Sequence, residues 1–295
     1  MNAAEFNSAR KFAQTQNARV AYIERGEGPE AALLLHGFPL CGYQWRDVID
    51  DLASMRRCIA PDLLGLGYTE PAGGADISFA GQARMLAALL DALKIARVDI
   101  VGNDTGAGIS QVFAATYPER VRSLTLTNCE VHDLWPTPML EPVFAALAAG
   151  TVGQALAAMA AANTEVAQAQ FASTYENSAT LDAEACSIYF APLAAPQRAE
   201  ILRGFGEALK NRDQMIALAP RLRALKGPAQ VIWGEADTAF DTAGSLKWLR
   251  ENLGGVRRIV RVPRAKLFFP EEHPRLLATM VREFWENNSP GAAPY

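Results

Sequence analysis

Several things are scarce in this chain of 295 residues, and each scarcity removes a class of protein. There are four cysteines, Cys41, Cys58, Cys129 and Cys186, scattered without C-x-x-C or metal-ligand spacing. That excludes a disulfide scaffold and suits buried free thiols in a reducing cytoplasmic setting. There are only three histidines, His36, His132 and His273, so any histidine-dependent chemistry has few possible owners. No apolar run reaches the roughly 18 residues of a membrane span, and the polar first sixteen residues lack the apolar core of a signal peptide. The net charge is −4 with no long block of one sign, which argues against nucleic acid or an anionic membrane as partner. Neither a metal cluster nor a dinucleotide fingerprint is present, so the expectation is no metal and no cofactor. What remains is 50% apolar and 20% charged, a globular composition with a sizeable core. The length allows one large α/β domain with an insertion, or two ordinary domains.

Within that composition, short apolar runs alternate with helical periodicity. The first 23 residues hold short apolar stretches suited to an opening hairpin. Strands are expected at Ala31–Leu35, Cys58–Ala60, Val98–Val101, Val121–Thr127, Ala229–Trp233 and Val256–Val262. Helices are expected at Phe79–Leu93 and Ile109–Tyr117. This rhythm implies a mostly parallel sheet with helices on both faces. It pauses between Asp133 and Ala224, where the chain is alanine-rich and helical in period. Prolines 136, 138 and 142 mark the start of that stretch, and Gly227-Pro228 marks the return to strand. The reading is a core over residues 1–132 and 225–295, interrupted by a helical cap over 133–224. The low-complexity stretch Ala145–Ala162 suits helix, and a loose tail is expected from Asn287.

The motifs that carry chemistry sit where the strands end, which is where open α/β sheets place their sites. His36-Gly37-Phe38-Pro39 follows Ala31–Leu35, and Asp62-Leu63-Leu64-Gly65-Leu66-Gly67 follows Cys58–Ala60. Trp233-Gly234-Glu235-Ala236-Asp237 follows the strand at Ala229. The most informative segment is Gly102-Asn103-Asp104-Thr105-Gly106, after Val98–Val101. Glycines two residues before and two after Asp104 allow a sharp strand-to-helix turn that lifts the central side chain into a pocket. A carboxylate at that point suits nucleophilic displacement at carbon, and without a serine there an ordinary serine esterase is disfavoured. The competing reading of Asp104 is a cap on the following helix.

These motifs, in this order, resemble the α/β-hydrolase superfamily over roughly residues 20 to 285. The aspartate at the turn resembles the haloalkane dehalogenase and epoxide hydrolase branch. The resemblance implies an alkyl ester formed on Asp104 and cleaved by water that a histidine activates. It implies an oxyanion hole from the amides of Phe38 and Thr105, with Asp237 orienting the histidine. Asn128 stands where some relatives carry that acid. A dehalogenase would often have Trp after the nucleophile, where Thr105 stands; Trp135 is the candidate substitute donor. An epoxide hydrolase would use lid tyrosines, here Tyr175 and Tyr189. His36 is expected to support its loop at the pocket wall, and Asp62 to fix the turn after it.

The family's histidine slot lies in Ala265-Lys266-Leu267-Phe268-Phe269-Pro270-Glu271-Glu272-His273-Pro274, and Leu267 occupies it. Leucine cannot accept a proton. His273 lies six residues beyond, at the start of the last helix, and reads as surface. His132 lies at the mouth of the cap with Glu130 and Asp133 nearby to raise its basicity, so it is the candidate base, against the plainer reading of a solvated loop histidine. Three outcomes are open: a hydrolase with a rearranged base, His132 or a carboxylate; a half-enzyme that is alkylated but not released; or a binding protein or pseudoenzyme that keeps only the pocket. The substrate expected is small to medium and apolar, halide or epoxide. Monomer and homodimer are equally open.

Overall fold

In the computed structural model, residues 1–160 and 164–288 are described. The end of the Ala145–Ala162 stretch and nearly all of the tail expected from Asn287 lie outside them. Nine strands form one sheet: β1 Lys11–Gln14, β2 Ala18–Arg25, β3 Ala31–Leu35, β4 Arg57–Pro61, β5 Glu70–Pro71, β6 Val98–Asn103, β7 Val121–Thr127, β8 Ala229–Gly234 and β9 Val256–Val262. Their spatial order is β1-β2-β4-β3-β6-β7-β8-β9, with β5 paired to β2. From β4 to β9 every pairing is parallel, while β1, β2 and β5 add an antiparallel edge. This is the α/β-hydrolase fold expected from the sequence, a mostly parallel sheet flanked by helices.

The central strands are apolar on both faces because helices cover both sides. Every residue of β3, β6 and β8 is buried, as a parallel sheet covered on both faces requires. Helices Phe79–Ala92 and Thr105–Thr116 flank β6, Thr242–Asn252 links β8 to β9, and Pro274–Asn287 closes the fold. The four cysteines are buried and unpaired. The chain runs from β3 outward to β4, then returns to place β6 on the other side of β3. That reversal opens a crevice between the carboxyl ends of β3 and β6, the usual ligand position in such sheets. Leu35 pairs with Gly102, so the loop after β3 and the turn after β6 emerge at the same level.

Between β7 and β8 the described residues form helices and no strand. The main ones are Glu141–Ala148, Val152–Ala160, Thr164–Gln170, Ala183–Phe190 and Ala199–Lys210. The alanine-rich stretch is not one helix. It breaks at Gly150, whose φ of +70° ends the first helix in the left-handed region that favours glycine. The two pieces meet at a bend of 104°. No single described helix is long and apolar enough to cross a membrane, although this bent pair has the length and composition when taken together. The last short helix, Ala219–Arg223, packs on Thr105–Thr116 and Thr242–Asn252 of the main body.

Candidate active site

Asp104 sits at the turn between β6 and the helix Thr105–Thr116 with φ +52° and ψ −132°. A non-glycine residue held there costs about 1–3 kcal/mol, and such strain persists only where the surroundings enforce it. They do so closely. The Asp104 amide donates to the Asn128 carbonyl at 2.8 Å. A Cβ on Gly106 would come within 2.2 Å of the Leu35 carbonyl oxygen, and one on Gly37 within 2.8 Å of Asp104 Oδ2. Glycine is required at both positions. The Asp104 side chain makes no capping bond to the helix beyond Thr105. Instead the Phe38 amide donates to Oδ2 at 2.8 Å, and the Thr105 amide also favours the ionised carboxyl. The two amides expected as an oxyanion hole therefore converge on this carboxylate.

The loop that carries Phe38 is held from behind. His36 is fully buried; its Nδ1–H donates to the Gly37 carbonyl at 2.9 Å and its Nε2 accepts from the Leu63 amide at 3.0 Å. Burial pushes its pKa down to about 4, so the ring stays neutral. It does not line the cavity, so its expected place in the pocket wall is corrected to a support beneath it. Gln44 accepts from the Gly37 amide at 2.9 Å and donates to Asn103 Oδ1 at 2.6 Å. Asn103 in turn donates to Thr127 Oγ1 and to the Leu267 carbonyl, both at 2.9 Å. One buried amide chain thus ties together the loop after β3, the turn after β6 and the loop of Leu267.

Asp237 is buried at the end of β8. Asn128 donates to its Oδ2 at 2.8 Å and the Ala239 amide to its Oδ1 at 2.8 Å. Burial pushes its pKa up to about 6 against these donors, and its charge also raises Asp104. Leu267 is buried and lines the cavity beside Asp104. Its side chain offers no proton acceptor, and among the described residues no Lys, Arg or His lines the cavity.

Sequence reasoning missed Glu130 as a member of the site. It follows β7, is 2% exposed, and lines the cavity with Asp104. Its Oε1 accepts from the Thr105 hydroxyl at 2.9 Å, and its Oε2 is buried with no partner. The available signal was its position: a charged residue at a strand's carboxyl end, between Cys129 and Val131, both of a type that burial favours. Burial raises Asp104 to about 7 and Glu130 to about 8, and Asp104's negative charge adds to the rise of Glu130. Two such carboxyls cannot both be ionised cheaply, so this pair holds a proton near neutrality.

Three other expected residues lie elsewhere. His132 does not line the cavity; its Nδ1 pairs with Asp133 at 2.7 Å and its ring stacks on Trp248 at 4.9 Å. Its φ of +52° turns the chain at that point, and Glu130, expected to raise its basicity, bonds Thr105 instead. Tyr175 and Tyr189 are fully buried, and their hydroxyls donate to Glu271 Oε2 and Oε1 at 2.7 Å each. Arg46 completes that cluster by an ion pair with Glu271. Neither tyrosine reaches the cavity wall, because a buried carboxylate on the main body outbids it for both hydroxyls. His273 is partly exposed and contacts Glu176, as a surface residue should. Trp135 does line the cavity; its ring stacks parallel to Phe79 and its Nε1 is buried without a partner.

The cavity measures about 530 Å³. Its walls are mostly apolar, including Phe38, Trp135, Leu140, Phe144, Leu156, Phe171, Phe240 and Phe268, with Asp104, Thr105 and Glu130 at the floor. Phe38 stacks on Phe205 of the helical segment at 5.1 Å, joining that segment to the loop after β3.

A parallel sheet with a strained acidic turn at its switch point defines a class, and sequence comparison agrees. The model of the alpha/beta hydrolase fold family matches residues 32–273, and this chain belongs to that family. Within it, the chain is related to haloalkane dehalogenases and epoxide hydrolases. It is 27% identical over 281 residues to haloalkane dehalogenase 2 of Mycobacterium bovis, covering 93% of this chain and 94% of that one. It is 41% identical over 127 residues to epoxide hydrolase 2 of Siraitia grosvenorii, covering 42% of this chain and 39% of that one. Among solved structures, Cfl2 of Burkholderia cenocepacia superposes with a TM-score of 0.75 at 26% identity, covering 93% and 95% of the two chains.

Proposed function

We propose that this chain is a hydrolase that opens a carbon–halogen bond or an epoxide carbon–oxygen bond in a small apolar substrate, through an alkyl ester on Asp104. The observation that supports it is the Phe38 amide on Asp104 Oδ2 at the floor of an apolar cavity. That donor fixes one carboxylate oxygen, so the other is the attacking atom. The same amides of Phe38 and Thr105 then receive the oxyanion when water adds to the ester. The helical segment 133–224 acts as the cap that sets substrate size. Its relatives' names, haloalkane dehalogenase and epoxide hydrolase, fit both substrate classes. Asp237 would orient a histidine, but Leu267 stands in that slot, so the second step is rerouted or slow. His132 is too far committed to Asp133 and Trp248 to serve as the base.

The test is a single turnover with 1-bromohexane and with 1,2-epoxyhexane, read by intact mass and peptide mapping. An adduct on the peptide of Asp104, absent in Asp104→Asn, is the expected result. Failure of both probes to modify the wild-type protein would refute the ester mechanism. It would favour the second reading, a binding protein that retains the pocket, which the Leu267 side chain alone supports.

A further inference from the structure

We propose that Glu130 is the acid–base residue of this site: its protonated carboxyl delivers a proton to the opening oxygen of an epoxide, and its carboxylate then deprotonates the water that cleaves the ester. This rests on Asp104 as nucleophile, and it narrows the substrate class to epoxides.

Three geometric facts carry it. Glu130 lines the same cavity as Asp104, at its floor. The Thr105 hydroxyl donates to Glu130 Oε1 at 2.9 Å, and Thr105 directly follows Asp104, so one residue stands between the two carboxyls. Glu130 Oε2 is fully buried with no partner. An ionised carboxylate oxygen in that state would be costly to keep, whereas a protonated one is a donor held in reserve. The raised proton affinity of Glu130 agrees with this assignment.

The chemistry separates the two substrate classes. A halide leaves as a stable anion and needs only N–H donors. Trp135 Nε1 is one unpartnered donor beside the cavity, and a halide calls for no proton from an acid. An epoxide oxygen must gain a proton as its bond to carbon breaks. The tyrosines that would supply it elsewhere in this fold are bonded to Glu271 outside the cavity. Among the described residues lining the cavity, Glu130 is the acid other than Asp104.

The steps balance. Asp104 attacks the epoxide carbon, the carbon–oxygen bond breaks, and its electron pair takes the Glu130 proton. The products are a hydroxyalkyl ester and a Glu130 carboxylate. That carboxylate takes a proton from water, and the hydroxide adds to the ester carbonyl, with the oxyanion on the Phe38 and Thr105 amides. Collapse breaks the acyl–oxygen bond, and the alkoxide recovers the proton from Glu130 to give the diol. Asp104 is left protonated, and its proton returns to Glu130 through Thr105. The net reaction is epoxide plus water to diol.

The experiment compares wild type with Glu130→Gln, using 1,2-epoxyhexane and 1-bromohexane and reading the Asp104 adduct by mass against time. The expected result is epoxide alkylation slowed by about 100-fold or more, with bromide alkylation within about threefold of wild type. The bromide arm also shows that the variant folds with a working nucleophile. In wild type, epoxide alkylation falls as pH rises past about 8, where Glu130 loses its proton. The titratable groups facing Glu130 are Asp104 and Cys129. Among the described residues, the helices bring Thr105, Gly108 and Gln111 to it, with the ring of Phe79 beside Gly108, none of them titratable. Equal slowing of both probes, no slowing of either, or epoxide inertness in a wild type that bromide does alkylate would overturn the role of Glu130 and leave Asp104 standing. No adduct with either probe would overturn both.

Discussion

Replacing Glu130 with Gln tests the site through stability, with no substrate involved. Burial raises the Glu130 pKa from 4.5 to about 8. The folded chain therefore holds this proton over a window where the unfolded chain has lost it. Its contribution is fully present below about pH 4.5 and is lost as pH rises through 8, so the native state becomes less stable across that range. The relative cost is near zero at pH 4, about 2 kcal/mol at pH 6 and about 4–5 kcal/mol at pH 9. Glutamine keeps the shape and carries no charge, so the variant lacks this slope. Its amide places an N–H₂ group where Oε2 has no partner, which adds a constant offset of about 1–2 kcal/mol against the variant. For a chain of this length 1 kcal/mol moves the melting temperature by about 2 °C. The melting temperature of Glu130→Gln minus that of wild type should rise by about 5 °C between pH 6 and pH 9. The assay is a set of thermal melts at matched ionic strength from pH 5 to 9.5. A difference flat with pH to within about 1 °C, or one that falls, would refute the claim that Glu130 is protonated in the native state.

Two further substitutions probe other parts of the molecule. Leu267→His places an imidazole on the loop that Asn103 holds at the cavity, which Asp104 also lines; bromide release from 1-bromohexane should rise about tenfold or more, and no change would show that Asp237 is not set to orient a base. Glu271→Gln leaves the mostly buried Arg46 with only the half-exposed Asp47 as a charge partner, which should cost about 3 kcal/mol and lower the melting temperature by about 5 °C or more, with an unchanged melt counting against the cluster as a structural tie.

The sheet was legible because its signals are local. β7 and β9 fall on the expected residues because each apolar run ends at a turn, and the turn at Asp104 was legible because two glycines flank it. Long-range partnerships were not. Nothing near Tyr175 or Tyr189 in sequence shows that both hydroxyls go to Glu271, some 80 to 100 positions away. Glu130 was passed over for a related reason. A histidine two residues on drew attention as a base, while the burial that makes Glu130 unusual arises only when β7 carries it beneath Thr105. His132, on a left-handed turn, faces Trp248 because the chain reverses there. A residue's distance from the strand end in sequence did not report its direction.

The Glu271 cluster also makes the attachment of the helical segment asymmetric. Tyr175 and Tyr189 from the helical segment meet Arg46 and Glu271 of the main body. Nearby, the amides of Glu176 and Asn177 donate to Glu272, and the Phe268 amide donates to the Thr174 carbonyl. These bonds rivet one side of the segment to the sheet. The opposite side, Glu141–Ala148 and Val152–Ala160, packs chiefly on other helices of the same segment and carries the glycine break at 150. One wall of the segment is therefore tied to the sheet by polar bonds, while the alanine-rich pair is held mainly by packing within the segment.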